Sequence, residues 1–169
     1  MRTRDEASTL HLPLAPAILA VLLAGCGGEP TRWDEAQAES RRAGPAVAEE
    51  ATAGSELNEF FPEDEGTLDV VFTQEKPGFS QADLVDDGET VATLSIFDTT
   101  SNPEAAGKFA DSDEELDGHP MAQSGSMGTA LLVGDRYQVQ VRSVDADFDR
   151  ARREEWLRKF DLADLAAKP

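Results

Sequence analysis

Cysteine is almost missing from this chain of 169 residues: Cys26 stands alone. A single thiol excludes intrachain disulfides, a CxxC redox pair and cysteine-built metal clusters, so stability has to come from packing. Histidine is nearly as scarce. Beyond His11 there is only His119, which excludes multi-histidine zinc sites. The nearby Ser124 and Ser126 lack the nucleophile-elbow setting that a serine-histidine triad would use. Basic residues number 15 against 34 acidic ones, a net charge of −19. Such a field repels nucleic acid and anionic head groups, and no basic patch with interleaved aromatics offsets it. Long apolar runs are missing too. The stretch from Leu12 to Gly25 is shorter than the roughly 20 residues of a membrane-spanning helix. There is no P-loop, no dinucleotide fingerprint and no internal repeat.

What the chain does have begins at that short apolar stretch. Arg2 and Arg4 precede it, and Leu23-Ala24-Gly25 lead straight into Cys26. A charged start, an apolar middle and small residues at the cut follow the plan of an exported leader. The small residues let an extended backbone enter a protease cleft, and the cysteine supplies a nucleophilic sulfur. The segment resembles a bacterial lipobox. The resemblance implies cleavage between Gly25 and Cys26, lipidation of the Cys26 thiol, and attachment to a membrane through that lipid. A plain secretory signal, or a buried apolar segment that happens to end in cysteine, is the bland alternative. Two or three acyl chains anchor durably, since each buried CH₂ contributes about 0.8 kcal/mol. The next residue is Gly27, not the aspartate that keeps resembling proteins at the inner membrane. The expected address is therefore the periplasmic side, and the outer membrane where the cell has one.

Residues 26–55 read as an acidic tether. Thr31 to Arg42 has the pattern of a short helix, with Thr31 as N-cap and Asp34 completing a capping box. Trp33, its one large apolar group, would rest at the lipid interface or dock on the domain. The expected organisation is a leader over 1–25, the lipidated tether over 26–55 and a folded domain over 56–169.

Within that domain the apolar pattern has the period of strands. Leu68, Val70 and Phe72 alternate with Asp69, Val71 and Thr73. Pro77-Gly78 suits the centre of a type II turn, and Asp87-Gly88 a hairpin, so three strands ending near Phe97 form a meander. Asn102-Pro103 opens a helix expected to run through Ala110. Asp111 to Asp117 crosses back to the sheet, with a short extended piece near Pro120 to Ser124. Ala130 to Val133, the turn Gly134-Asp135 and Arg136 to Arg142 give a second hairpin. Tyr137, Val139 and Val141 share its inner face. A last helix from about Asp147 to Phe160 presents Trp156, Leu157 and Phe160, and Asp161 to Leu165 adds a turn. The fold class is α+β, in the order βββ-α-ββ-α, with helices on one face of an antiparallel sheet. That order resembles small secreted lipoprotein domains of the PsbP-like kind, a likeness of fold that carries no activity.

Chemistry is sparser than charge. Asp111-Ser112-Asp113-Glu114-Glu115 starts like a calcium loop, but position six is Leu116 and position twelve Ala122, where a glycine and a bidentate glutamate are needed. Asp145, Asp147 and Asp149 are equally explained by the start of a helix. Carboxylate pairs able to hydrolyse a glycosidic bond arise by chance among so many acids. No cofactor is implied. The segment Gln123, Ser124, Gly125 and Ser126 is the candidate binding loop. The expected role is a lipid-anchored binding or envelope-accessory module with a cationic or envelope protein partner and no nucleic acid. A small Asp/Glu hydrolase and a weak calcium-binding domain are the alternatives.

Overall fold

Alternation of period two governs most of the chain from Leu68 to Ser143, and a sheet is what it builds. The computed structural model describes residues 47–169, so the leader, Gly25 and Cys26, the tether helix and Trp33 lie outside the described residues. The described part is one small domain, a seven-stranded antiparallel sheet with a few short helices. Its strands are β1 (Leu68–Lys76), β2 (Phe79–Asp86), β3 (Glu89–Asp98), β4 (Glu115–Leu116), β5 (His119–Gln123), β6 (Gly128–Val133) and β7 (Tyr137–Ser143). They lie side by side in the order β1-β2-β3-β7-β6-β5-β4. Two meanders, β1 to β3 and β4 to β7, are therefore joined at the centre by β3 and β7, where Leu94 faces Val141 and Ile96 faces Val139.

The turns follow from their residues. Pro77-Gly78 closes β1 on β2 with Gly78 at a φ of 76°, the left-handed value that the second central position of a type II turn requires. Asp87-Gly88, Asp117-Gly118 and Gly134-Asp135 each place two successive residues at positive φ. That is the mirror-image turn whose twist matches that of paired strands.

The expected order βββ-α-ββ-α needs correction at two points. First, the second meander has four strands, because Asp117-Gly118 folds Glu115–Leu116 onto His119–Gln123. Second, the helix expected from Asn102 to Ala110 is a 3₁₀ turn, Pro103–Ala106, followed by a single α turn, α2 (Gly107–Ala110). Gly107 and only one large apolar residue, Phe109, leave little to offset the cost of nucleating a helix. The end of the chain carries α3 (Arg150–Leu157) and α4 (Leu162–Ala167), capped by the carboxylates of Asp149 and Asp161. Before the sheet come α1 (Gly54–Leu57) and a 3₁₀ turn at Asn58–Phe60.

The helices do not all lie on one face. Leu57 of α1, Trp156 and Leu157 of α3, and Leu162 and Leu165 of α4 share one core with Leu84, Leu94, Leu131, Val139 and Val141. Phe109 of α2 packs instead with Ala122, Ala130 and Leu132. These are the residues between Met121, Leu131 and Val133, so they point to the opposite face. A strand covered on both sides reads as an unbroken apolar run, and Ala130-Leu131-Leu132-Val133 is such a run.

Close backbone contact ties α1 to the sheet. A Cβ built on Gly54 would lie 2.6 Å from the Lys76 carbonyl oxygen and 2.7 Å from its nitrogen. Both are main-chain atoms held in a turn and cannot swing aside. Gly54→Ala is expected to destabilise the domain by about 1–3 kcal/mol, the usual cost of overpacking. Urea denaturation measures it, and an unchanged midpoint would show that the contact yields.

Candidate functional site

The candidate loop Gln123 to Ser126 forms the bend between β5 and β6. Its backbone is tied down. The Ser124 N–H donates to the Gly128 carbonyl at 2.9 Å, and Arg142 Nη2 donates to the Ser124 carbonyl at 3.1 Å. The Ser124 hydroxyl donates to Gln140 Oε1 at 3.2 Å. Gln123, Gly125 and Ser126 stay exposed. His119 lies at the start of β5, opposite Leu116, and is not brought into a constellation with the two serines.

The acidic clusters are largely occupied. Asp145 Oδ1 accepts the N–H of Asp147 and Asp149 Oδ1 that of Arg152, which makes them turn and cap residues. Glu114 pairs with Arg150 at 2.8 Å and Asp117 with Arg158 at 3.6 Å. Among the described residues, no group of three His, Cys, Asp or Glu is placed to hold a metal ion.

Two buried polar centres escaped the sequence reading. Asp98, fully buried at the end of β3, accepts hydrogen bonds from the Thr52 N–H (2.9 Å), the Thr100 N–H (3.0 Å) and the Thr100 hydroxyl (2.7 Å). Arg136 adds Nε at 3.1 Å and Nη2 at 2.8 Å. Burial alone would raise the pKa of this carboxyl. The hydrogen bonds from Arg136, Thr100 and Thr52 overcome that, holding it well below the ordinary carboxylate value. Arg136 also donates to the carbonyls of Glu50 and Pro169, so one ion pair gathers both ends of the described chain. Arg153 on α3 is buried without a carboxylate. It donates to Thr129 Oγ1 at 3.0 Å and Ser143 Oγ at 2.8 Å. Burial pushes its pKa down, and the charge of Arg150 adds to that. Both centres hold elements together; Asp98 and Arg153 are buried, and the Arg136 side chain is 25% exposed.

The surface that does open lies along β1. As the outermost strand it has a neighbour on one side only, and the inward set Leu68, Val70 and Phe72 is incompletely covered. Leu68 and Val70 are half-buried, whereas Phe72 is 45% exposed. The Phe72 ring stands edge-on to Phe61 at 5.1 Å between centroids, and Phe61 in turn meets Phe160 at 5.2 Å. An open groove of about 560 Å³ results, with Phe61, Pro62, Val70 and Phe72 as apolar floor. Asn58, Glu59, Glu63 and Asp64 form its rim. Asp64 Oδ1 accepts the Val70 N–H at 2.8 Å. Among the described residues, neither Glu59 nor Glu63 takes part in an ion pair, although Glu56 and Glu65 close by are paired with Lys168 and Lys159.

The alternation at Leu68, Val70 and Phe72 was legible in the sequence; that its last member lies open was not, because strand position within a sheet leaves no local mark. The sheet order puts four strands between β1 and β5, so the groove and the Gln123 to Ser126 loop are separate places. Comparison with protein-family models, with curated proteins and with solved structures gives no match for this chain.

Proposed function

We propose that this chain is a lipid-anchored extracytoplasmic protein whose domain acts as a binding module, an accessory of the cell envelope. The address rests on Leu23-Ala24-Gly25-Cys26: removal of residues 1–25 leaves an amino-terminal cysteine whose thiol carries the lipid. Gly27 favours the outer membrane. Residues 27–46 could span up to roughly 70 Å fully extended, so the domain works within a short tether's reach of the bilayer. Its acidity repels an anionic leaflet, which keeps the domain standing off the membrane with its surface free.

One observation carries the binding role. Phe72 is the one exposed aromatic side chain among the described residues, and it floors a groove. A concave groove with an apolar floor and a few convergent polar groups is where a partner is first looked for.

The anchor is tested by Cys26→Ser. The unmodified chain should pellet with membranes and carry added lipid mass. The variant should keep its leader uncut and carry no added lipid mass. A variant that still carries the added lipid mass would remove Cys26 as the anchor.

A further inference from the structure

We propose that the β1 groove takes a basic segment of a partner protein, held by its side chains: an apolar residue on Phe72 and Val70, with lysine or arginine against Glu59 and Glu63. The inference rests on the binding-module reading and gives it a partner chemistry.

Charge selects the occupant. The groove lining holds three acids and no basic residue. Those three acids, Glu59, Glu63 and Asp64, on a chain of net charge −19, make the groove draw cations and repel anions. A second copy of this chain would bring two acidic rims together, which disfavours self-pairing through β1. An anionic lipid surface is repelled for the same reason.

The backbone selects the mode. An exposed edge strand invites another strand, but this one is guarded at both ends and interrupted by a bulge. Glu65 already pairs with Leu68, and Asp64 takes the Val70 N–H. A bulge follows Phe72, and Gly54 packs on the backbone of Lys76 at the far end. Only the bulged stretch past Phe72 is left for a visiting strand, whereas the Phe72 ring and the Glu59 and Glu63 carboxylates are open. Recognition therefore runs through side chains. The apolar contact supplies affinity, and the rim supplies steering and selectivity.

The test uses the full chain, purified from whichever cell fraction holds it, so that the anchor reading and this one fail separately. The probes are short synthetic peptides: lysine alternating with leucine, glutamate alternating with leucine, and lysine alternating with serine. The lysine-leucine peptide should bind saturably and more weakly as salt rises. The glutamate peptide should not bind, and the lysine-serine peptide should bind at least about tenfold more weakly for want of an apolar anchor. Reversing the rim with Glu59→Lys and Glu63→Lys, two exposed positions, should lower affinity about tenfold, and Phe72→Ser should do the same. A control reversal at the opposite edge, Asp113→Lys with Glu115→Lys, keeps the same net charge as the rim variant and should change affinity by no more than about twofold. Circular dichroism confirms that each variant is folded. The proposal is overturned if no peptide binds saturably, or if the control reversal weakens binding as much as the rim reversal. It is equally overturned if N-methylation of alternate peptide bonds abolishes binding, which would make the mode strand addition. A chain that sediments as a dimer, and as a monomer once Phe72 is replaced, would make the occupant a second copy.

Discussion

Asp98→Ala is expected to cost about 3 kcal/mol of folding stability, the lower end of the range for breaking a buried ion pair, because the Arg136 side chain left behind is 25% exposed. The carboxylate is fully buried and accepts from Thr52, Thr100 and Arg136. Removing it leaves the guanidinium facing a cavity and strips the Thr52 N–H and the Thr100 hydroxyl of their acceptor. The damage should spread to the chain ends, because Arg136 also holds the carbonyls of Glu50 and Pro169. Urea denaturation gives the loss in stability, and hydrogen exchange should show the segment around Thr52 opening ahead of the rest. Asp98→Asn keeps the shape but lacks the charge and turns a donor toward Arg136, so it should recover only part of the loss.

The same carboxyl sets a pH dependence of known sign. Its folded pKa lies below the ordinary value of 3.8, so the unfolded chain takes up the proton first as pH falls. The stabilisation is whole above the ordinary carboxylate value and drains away as pH drops below it toward the folded one. Wild type should lose stability over that acid range more steeply than Asp98→Asn, in which the group does not titrate. Equal slopes for the two proteins would deny Asp98 this role.

How far the sequence could be read depended on whether the signal was local. Asp87-Gly88 and Gly134-Asp135 announced their hairpins because two successive positive φ angles suit few other dipeptides. Asp117-Gly118 carries the same signal, but its flanking strand β4 has only two residues, Glu115 and Leu116, too few for any period to show. The inner face of Tyr137, Val139 and Val141 was plain because one side of β7 is wet. The second covered face was hidden in the run from Ala130 to Val133, where burial on both sides erases the alternation. The polar centres could not be read at all. Asp98 lies 46 residues from Thr52 and 38 from Arg136; the pairing of β3 with β7 brings Arg136 to it, and the Thr52 segment reaches it by docking on Gly78. The groove depends likewise on β1 being the outermost strand. Four of its lining residues, Glu59, Glu63, Asp64 and Phe72, looked in sequence like ordinary members of an acidic surface and a strand's inner face.

Trp156→Ala is the second large effect expected, about 3–5 kcal/mol. The indole is 2% exposed on α3 and belongs to the same core as Phe148, Phe160 and Leu131. Its helix has few other means of attachment. Arg150, Arg152, Glu154 and Glu155 face outward or sideways, so Trp156, Leu157 and the buried Arg153 hold α3 on β6 and β7. A cavity at Trp156 cannot be closed by a neighbouring helix, because α4 is only six residues long and already committed through Leu162 and Leu165. Lys159 Nζ lies 5.5 Å from the ring centroid, and loss of that contact contributes little beside the lost packing. Trp156→Phe keeps much of the buried volume and should cost less than half as much. Urea midpoints for the two variants, measured at one pH, separate these values. A loss below about 1 kcal/mol for the alanine variant would mean that α3 is held by Arg153 and its hydroxyl partners, and that the helix face read from the sequence is secondary to a cation the sequence gave no reason to bury.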